Sequence, residues 1–201
     1  MFVPLILKIG AKNILEGLIR VDPENESYYK KNYDDLINKF NEKIYGKELL
    51  SLIEVKKLDE FVLKGNFWEE IKKAGLEDKV GGWLQKAKPL NKIKVVNYHK
   101  MWVYFCRTFG MEISSYVEPK PGIPPSPKDV QKLINSIKVE NVSLIFDTTY
   151  YREDQMKKIS DATKIPYTQV PAFVGDMGTK DYFELIEKSL DLILSALKGK
   201  R

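Results

Sequence analysis

Residues 93–99 have the sequence Ile-Lys-Val-Val-Asn-Tyr-His, in which a short apolar run leads into the only histidine of the chain. A short run rich in β-branched residues is typical of a buried strand. In open α/β sheets, ligands bind beyond the carboxyl ends of the strands. The sequence therefore predicts that His99 lies at such an edge, where an imidazole can bind a metal ion or accept a proton.

The alternation of strand-like and helix-like segments continues to the end of the chain. This order predicts an α/β fold with a four-stranded parallel sheet and helical crossovers. The predicted strands are residues 93–98, 112–117, 142–147 and 167–171, and the predicted helices are 100–109, 128–137, 152–163 and 181–197. Ser126 stands before Pro127 and is followed by Asp129, which predicts a capped start for the second of these helices.

The amino-terminal half has the pattern of a helical region. Its apolar residues predict a first helix that ends at Val21-Asp-Pro, then a long helix from Pro23 to about Tyr45. Short helical patterns separated by glycines follow up to Leu90. The predicted domains are residues 1–46 with two helices, residues 47–91 with a helical segment, and residues 92–201 with the α/β fold.

Composition limits the classes of function. The formal net charge is +5, but the 33 basic residues include only four arginines and are interleaved with 28 acidic residues. Such mixing indicates a solvated surface, and no nucleic-acid partner is expected. Cys106 is the only cysteine, so the chain has no internal disulfide, and its place in an apolar helix predicts a buried, unreactive thiol. No apolar run approaches the length that spans a bilayer.

The residues that can carry chemistry lie on the loops after the predicted strands, which share one edge of a parallel sheet. They are His99, Glu118, Asp147 with Thr148 and Tyr150, and Asp176. Imidazole and carboxylate together suit zinc or manganese. An alternative is an α/β enzyme in which His99 is a base and Asp147 orients it. No nucleophile motif or phosphate-binding loop supports that alternative.

Five separated motifs occur in this chain: Asp22-Pro-Glu-Asn-Glu-Ser-Tyr-Tyr, Gly81-Gly-Trp-Leu-Gln-Lys-Ala-Lys-Pro, Tyr98-His-Lys-Met-Trp-Val-Tyr-Phe, Glu118-Pro-Lys-Pro-Gly-Ile-Pro-Pro-Ser-Pro and Asp181-Tyr-Phe-Glu-Leu. In this order they resemble the solute-binding proteins of bacterial zinc and manganese ABC importers. The resemblance implies the carboxyl-terminal lobe of that family, preceded by the long helix that joins its two lobes. It also implies a protein without catalytic activity that delivers metal to a membrane permease, in a periplasmic or extracytoplasmic, membrane-associated location.

The resemblance assigns roles to individual residues. His99 matches the family's metal ligand in its Tyr-His-Lys motif, and Asp147 stands where relatives carry a carboxylate near the metal. We expect Asp147 to orient a ligand, with direct ligation as the alternative. Gln169-Val-Pro stands where the family's other aspartate is expected, and the nearby Asp176 either ligates or caps its loop. The segment from Glu118 to Pro127 is expected to shape the cleft.

The motifs cover nearly all of this chain but only part of a family member. The family carries an export signal and an amino-terminal lobe with two metal-binding histidines, whereas Met1-Phe-Val-Pro-Leu-Ile-Leu lacks the features of a signal peptide. We therefore expect an incomplete site for zinc, or alternatively manganese, in a truncated chain. The missing amino-terminal lobe or a homodimer partner would supply the other ligands. The remaining alternative is a lobe that makes protein contacts without binding metal.

Overall fold

The computed structural model describes residues 3–118, 120, 122–151 and 153–199. These residues form two compact units, one helical over 3–86 and one of α/β type over 87–199. The two predicted helical segments thus lie in one unit up to Lys86. Predictions that involve Met1, Phe2, Pro119, Pro121 or Arg152 concern residues outside the described ranges.

The helical unit contains six α-helices within residues 3–86. They are α1 (Pro4–Val21), α2 (Glu26–Tyr45), α3 (Lys47–Leu52), α4 (Val55–Lys64), α5 (Phe67–Lys73) and α6 (Gly82–Lys86). The first helix ends where predicted, because a proline at position 23 cannot continue it. A short 3-10 turn, Pro23–Asn25, precedes α2, so the long helix begins three residues later than predicted.

The Gly81-Gly82 pair of the second motif serves backbone packing. The amide of Gly81 donates to the carbonyl oxygen of Tyr45 at 2.8 Å, at the end of α2. A Cβ at Gly46, whose φ is +80°, would lie 2.5 Å from the Cα of Gly81. Only glycine permits this approach and this backbone conformation together.

A buried polar cluster in the helical unit has no counterpart in the sequence predictions. Lys8 donates to Asn41 Oδ1 at 2.9 Å and forms an ion pair with Asp59 Oδ2 at 2.6 Å. The hydroxyl of Tyr45 donates to Asp59 Oδ1 at 2.6 Å. Burial raises the pKa of Tyr45, so this hydroxyl stays a hydrogen-bond donor. The positive and negative charges of the cluster compensate each other within the unit.

The α/β unit confirms the predicted four-stranded parallel sheet. Its strands are β1 (Lys94–Asn97), β2 (Glu112–Tyr116), β3 (Leu144–Thr148) and β4 (Tyr167–Val170), in the spatial order β2-β1-β3-β4. The helices are α7 (Val103–Thr108), α8 (Pro127–Glu140), α9 (Glu153–Thr163) and α10 (Tyr182–Lys198). Every residue of β3 is buried, as expected for a central strand of a parallel sheet.

Three local predictions for this unit can be compared with the structure. Ser126 and Asp129 form the predicted capping box of α8. Cys106 is 1% exposed, which confirms the predicted buried cysteine, and burial raises the pKa of its thiol. Helix α7 begins at Val103 and not at Lys100 as predicted, because residues 98–102 form a turn.

None of the helices within the described ranges combines the length and apolar character needed to cross a membrane.

Candidate metal site

His99 follows the carboxyl end of β1 and lies in the turn before α7. Its backbone amide donates to Asp147 Oδ2 at 2.9 Å, and its carbonyl oxygen accepts from the amide of Met101 at 2.9 Å. Its side chain is 26% exposed. The turn therefore presents the imidazole at the sheet edge, as the sequence predicts. The carboxylate of Asp147 holds the backbone of the turn through the His99 amide.

Asp147, near the end of β3, is fully buried and uses both carboxylate oxygens inside the protein. Besides the His99 amide, it accepts from Trp102 Nε1 at 2.9 Å and from the amide of Thr148 at 2.7 Å. Burial raises the pKa of Asp147, and these hydrogen bonds act in the opposite direction. Asp147 thus contacts the backbone of His99, whereas the enzyme alternative requires a contact with the ring.

The imidazole ring is held by Glu118. His99 Nδ1 and Glu118 Oε2 form a hydrogen bond, and Glu118 Oε1 accepts from the amide of Gly122 at 2.7 Å. Tyr151 stacks on the ring, with centroids 5.6 Å apart. Nε2, the other ring nitrogen, makes no hydrogen bond to the part of the chain that the structure describes.

The pairing of β1 with β2 explains why Glu118 reaches His99. The ladder continues past the ends of both strands, where the amide of Val117 donates to Asn97 at 2.9 Å and that of Glu118 donates to Tyr98 at 3.0 Å. The residue after Tyr98 therefore lies beside the residue after Val117. The position of Glu118 after a strand makes it a candidate, but the sequence does not predict its contact with His99.

Asp176 makes its contacts within the loop after β4. It accepts hydrogen bonds from the hydroxyl of Thr149 and from the amide of Ala172, the latter at 2.9 Å. The hydrogen bond from Thr149, followed by that from Ala172, lowers the pKa of Asp176. Gln169, at the expected place of the family's aspartate, donates to the carbonyl oxygen of Tyr151 at 2.8 Å. These contacts match the loop-capping role that the sequence left open for Asp176.

Tyr150 and Thr148, the remaining candidates, differ in exposure. Tyr150 is 74% exposed, and its ring packs edge-on against Tyr151. Thr148 is buried, and its hydroxyl has no hydrogen-bond partner in the described structure. The sheet edge thus brings His99, Asp147 and Glu118 together.

The described ranges contain no group of three or more histidine, cysteine, aspartate or glutamate side chains placed to hold a metal ion. Zinc sites in proteins are nearly always four-coordinate, and catalytic ones keep at least three protein ligands. The imidazole of His99 suits zinc or manganese as one ligand of such a set.

The family model described as zinc-uptake complex component A, periplasmic (ZnuA), matches residues 73–196. The chain belongs to this family. The match begins at the last residue of α5 and covers α6 and the α/β unit up to the last turn of α10. This confirms the resemblance on which the sequence predictions depend, and it confirms that the family consists of solute-binding components and not of enzymes.

A curated relative and several solved structures resemble the chain over most of its length. SloC, a metal ABC transporter substrate-binding lipoprotein of Streptococcus mutans, is 24% identical over 194 residues, which are 94% of this chain and 52% of SloC. The laminin-binding protein Lmb of Streptococcus agalactiae, described as having adhesin and metal-transporting activity, has a TM-score of 0.65 at 18% identity. FpvC of Pseudomonas aeruginosa in complex with Mn²⁺ has a TM-score of 0.60 at 18% identity.

The matches cover most of this chain but a much smaller share of each relative. The chain is covered to 96% by Lmb and to 94% by FpvC, but it covers 62% and 59% of those chains respectively. The chain thus spans about half the length of the curated relative that it matches. At this identity the solved structures show that the fold is shared.

Proposed function

We propose that this chain is the metal-capturing carboxyl-terminal part of the solute-binding component of an ABC importer. Zinc is the proposed substrate and manganese the alternative. The observation that carries the proposal is the lone His99, which is held at the carboxyl edge of the sheet while its Nε2 has no partner in the described structure. The side chain of His99 is 26% exposed, so a ligand can reach Nε2 while Glu118 holds the other ring nitrogen.

The proposed site divides the work between a ligand and a residue that orients it. His99 supplies Nε2 to the metal. Asp147 orients the ligand through the His99 backbone, because all the contacts of its two oxygens are made with protein donors. Direct ligation by Asp147 would require it to give up hydrogen bonds in a buried position, which is costly.

The proposed metal site needs further ligands besides His99. One imidazole provides a quarter of a tetrahedral zinc shell, so the chain by itself should bind zinc weakly. The additional ligands would come from an amino-terminal lobe of the kind the resemblance implies, or from a second copy of the chain. Delivery to a membrane permease on the periplasmic or extracytoplasmic side follows from the same proposal and from the names of the relatives.

Titration calorimetry with zinc tests the proposal on the 201-residue chain. We expect a heat of binding that disappears in H99A and persists in D176N, because Asp176 is occupied by its own loop. Persistence of the heat in H99A would contradict the proposed ligand. Absence of heat in the unsubstituted chain would favour the alternative of a lobe that makes protein contacts without metal.

A further inference from the structure

We infer that Glu118 is a positioning residue for the proposed metal site, because it fixes the tautomer and the orientation of the His99 ring. The inference rests on the proposed function, in which Nε2 binds the metal. It assigns to Glu118 a role that differs from that of Asp147. Asp147 holds the backbone of His99, whereas Glu118 holds the ring.

The tautomer follows from the chemistry of the two partners. An ionised carboxylate accepts hydrogen bonds and donates none, so the hydrogen between Glu118 Oε2 and His99 belongs to Nδ1. In a neutral imidazole, the other nitrogen then keeps its lone pair. Nε2 is therefore the nitrogen that is ready to bind a metal ion. Carboxylates that hold the second nitrogen of a metal-binding histidine are a recurrent arrangement in metal sites.

Glu118 is itself held firmly enough to orient another group. It is 9% exposed, and its second oxygen accepts from the amide of Gly122 at 2.7 Å. Its backbone amide donates to the carbonyl oxygen of Tyr98 at 3.0 Å. The ring of Tyr151 covers one face of the imidazole, so the ring is restrained at its edge and at its face.

Nuclear magnetic resonance can test the tautomer without any metal. The chain has a single histidine, so a long-range proton–nitrogen spectrum of ¹⁵N-histidine-labelled protein contains one imidazole. At about pH 8 a free imidazole is neutral. We expect the spectrum to show a protonated Nδ1 and an unprotonated Nε2, and we expect E118A to lose this single tautomer. A protonated Nε2 in the unsubstituted chain, or an unchanged spectrum in E118A, would overturn the inference.

Zinc titration of the same variants tests the consequence for binding. We expect E118A to weaken zinc binding about 10- to 100-fold, the usual effect of losing such a partner. E118Q should lie between E118A and the unsubstituted chain, because an amide has one acceptor oxygen for the two donors, His99 Nδ1 and the Gly122 amide. Glu112 is exposed at the start of β2, so E112Q is the matched control and should bind zinc normally.

The two measurements separate the inference from the function on which it rests. If the unsubstituted chain takes up no zinc, the proposed function fails, while the metal-free spectra still decide whether Glu118 selects the tautomer. If E118A changes the tautomer but its zinc affinity stays within about twofold, Glu118 is not a positioning residue for metal binding. Circular dichroism of each variant shows whether it remains folded, and E118Q replaces E118A if the latter does not.

Discussion

Two buried polar clusters, one in each unit, differ in what they leave available. In the helical unit, Lys8 meets Asp59 at 2.6 Å, and the hydroxyl of Tyr45 also donates to Asp59. In the α/β unit, the carboxylates of Asp147 and Glu118 surround the backbone and the ring of His99, with no lysine or arginine paired to them among the described residues. We call the first cluster closed, because its opposite charges pair with each other. We call the second open, because Nε2 of His99 has no hydrogen-bond partner among the described residues.

The comparison separates a structural from a functional use of buried charge. Two opposite charges that pair inside a protein compensate part of their desolvation. Asp147 and Glu118 have no lysine or arginine partner among the described residues, and burial raises the pKa of Asp147. The Tyr151 hydroxyl is affected too, since burial and then the charges of Asp147 and Glu118 raise its pKa. Under the proposed function, a bound cation would supply the positive charge that this cluster lacks among the described residues.

The largest expected loss of stability comes from removing the carboxylate of Asp147, which accepts from the His99 amide. D147A leaves three donors, the amides of His99 and Thr148 and Trp102 Nε1, without their acceptor. We expect a loss of about 3 kcal/mol in the free energy of unfolding, at about 1 kcal/mol for each buried donor. Urea denaturation measures this loss, and calorimetry should show zinc binding weakened at least about tenfold.

D147N is the matched variant for this cluster. It removes the charge that burial disfavours and keeps one acceptor oxygen, so at least one of the three donors loses its acceptor and the loss should be about 1 kcal/mol. A D147A protein as stable as the unsubstituted chain would show that Asp147 does not hold the turn around His99.

A second, smaller effect is expected in the closed cluster. K8M leaves Asp59 without its cation and Asn41 Oδ1 without its donor, and we expect a loss of about 2 kcal/mol in unfolding free energy, since Asp59 remains partly exposed. Zinc binding should stay unchanged. K12M, on the same helix, breaks an exposed pair with Glu16 and should cost less than about 0.5 kcal/mol. A change in zinc affinity in K8M would contradict the division into structural and functional clusters.

The sequence was sufficient for the elements but not for the contacts of the site. Strands β1 to β4 coincide with the predicted runs to within two residues at each end. The signal is strongest in the central strands β1 and β3, which are almost entirely buried. The start of α7 was misplaced by three residues. The turn that replaces its first residues depends on Asp147, which lies 48 positions after His99 and leaves no local signal.

The role of Glu118 was missed for a related reason. Its contact with His99 depends on the register of β1 and β2, and that register shifts at a bulge between Val95 and Val96. Apolar periodicity does not reveal the position of a bulge. Lys8 was missed because lysine is rarely buried, and its partner Asp59 is 51 residues away. In each case, the missing information is a pairing between distant segments.

The smallest of the three main effects is expected for substitution of Asp176, whose carboxylate accepts its hydrogen bonds within the loop that follows β4 and from Thr149. Hydrogen bonds from Thr149 and Ala172 lower its pKa, so the ionised form stabilises the fold at pH values above the ordinary pKa of an aspartate. This contribution is lost as the pH falls through the lowered pKa. We expect D176N to be about 1 kcal/mol less stable than the unsubstituted chain near pH 7.

Urea denaturation of both proteins between about pH 7 and pH 3 measures this difference, which should shrink toward zero at the acidic end. A difference that persists unchanged at the acidic end would mean that D176N disturbs the loop by a route other than the carboxylate charge. Weakened zinc binding in D176N would instead assign Asp176 to the open cluster with His99, and the contrast between a closed and an open sheet-edge carboxylate would no longer hold.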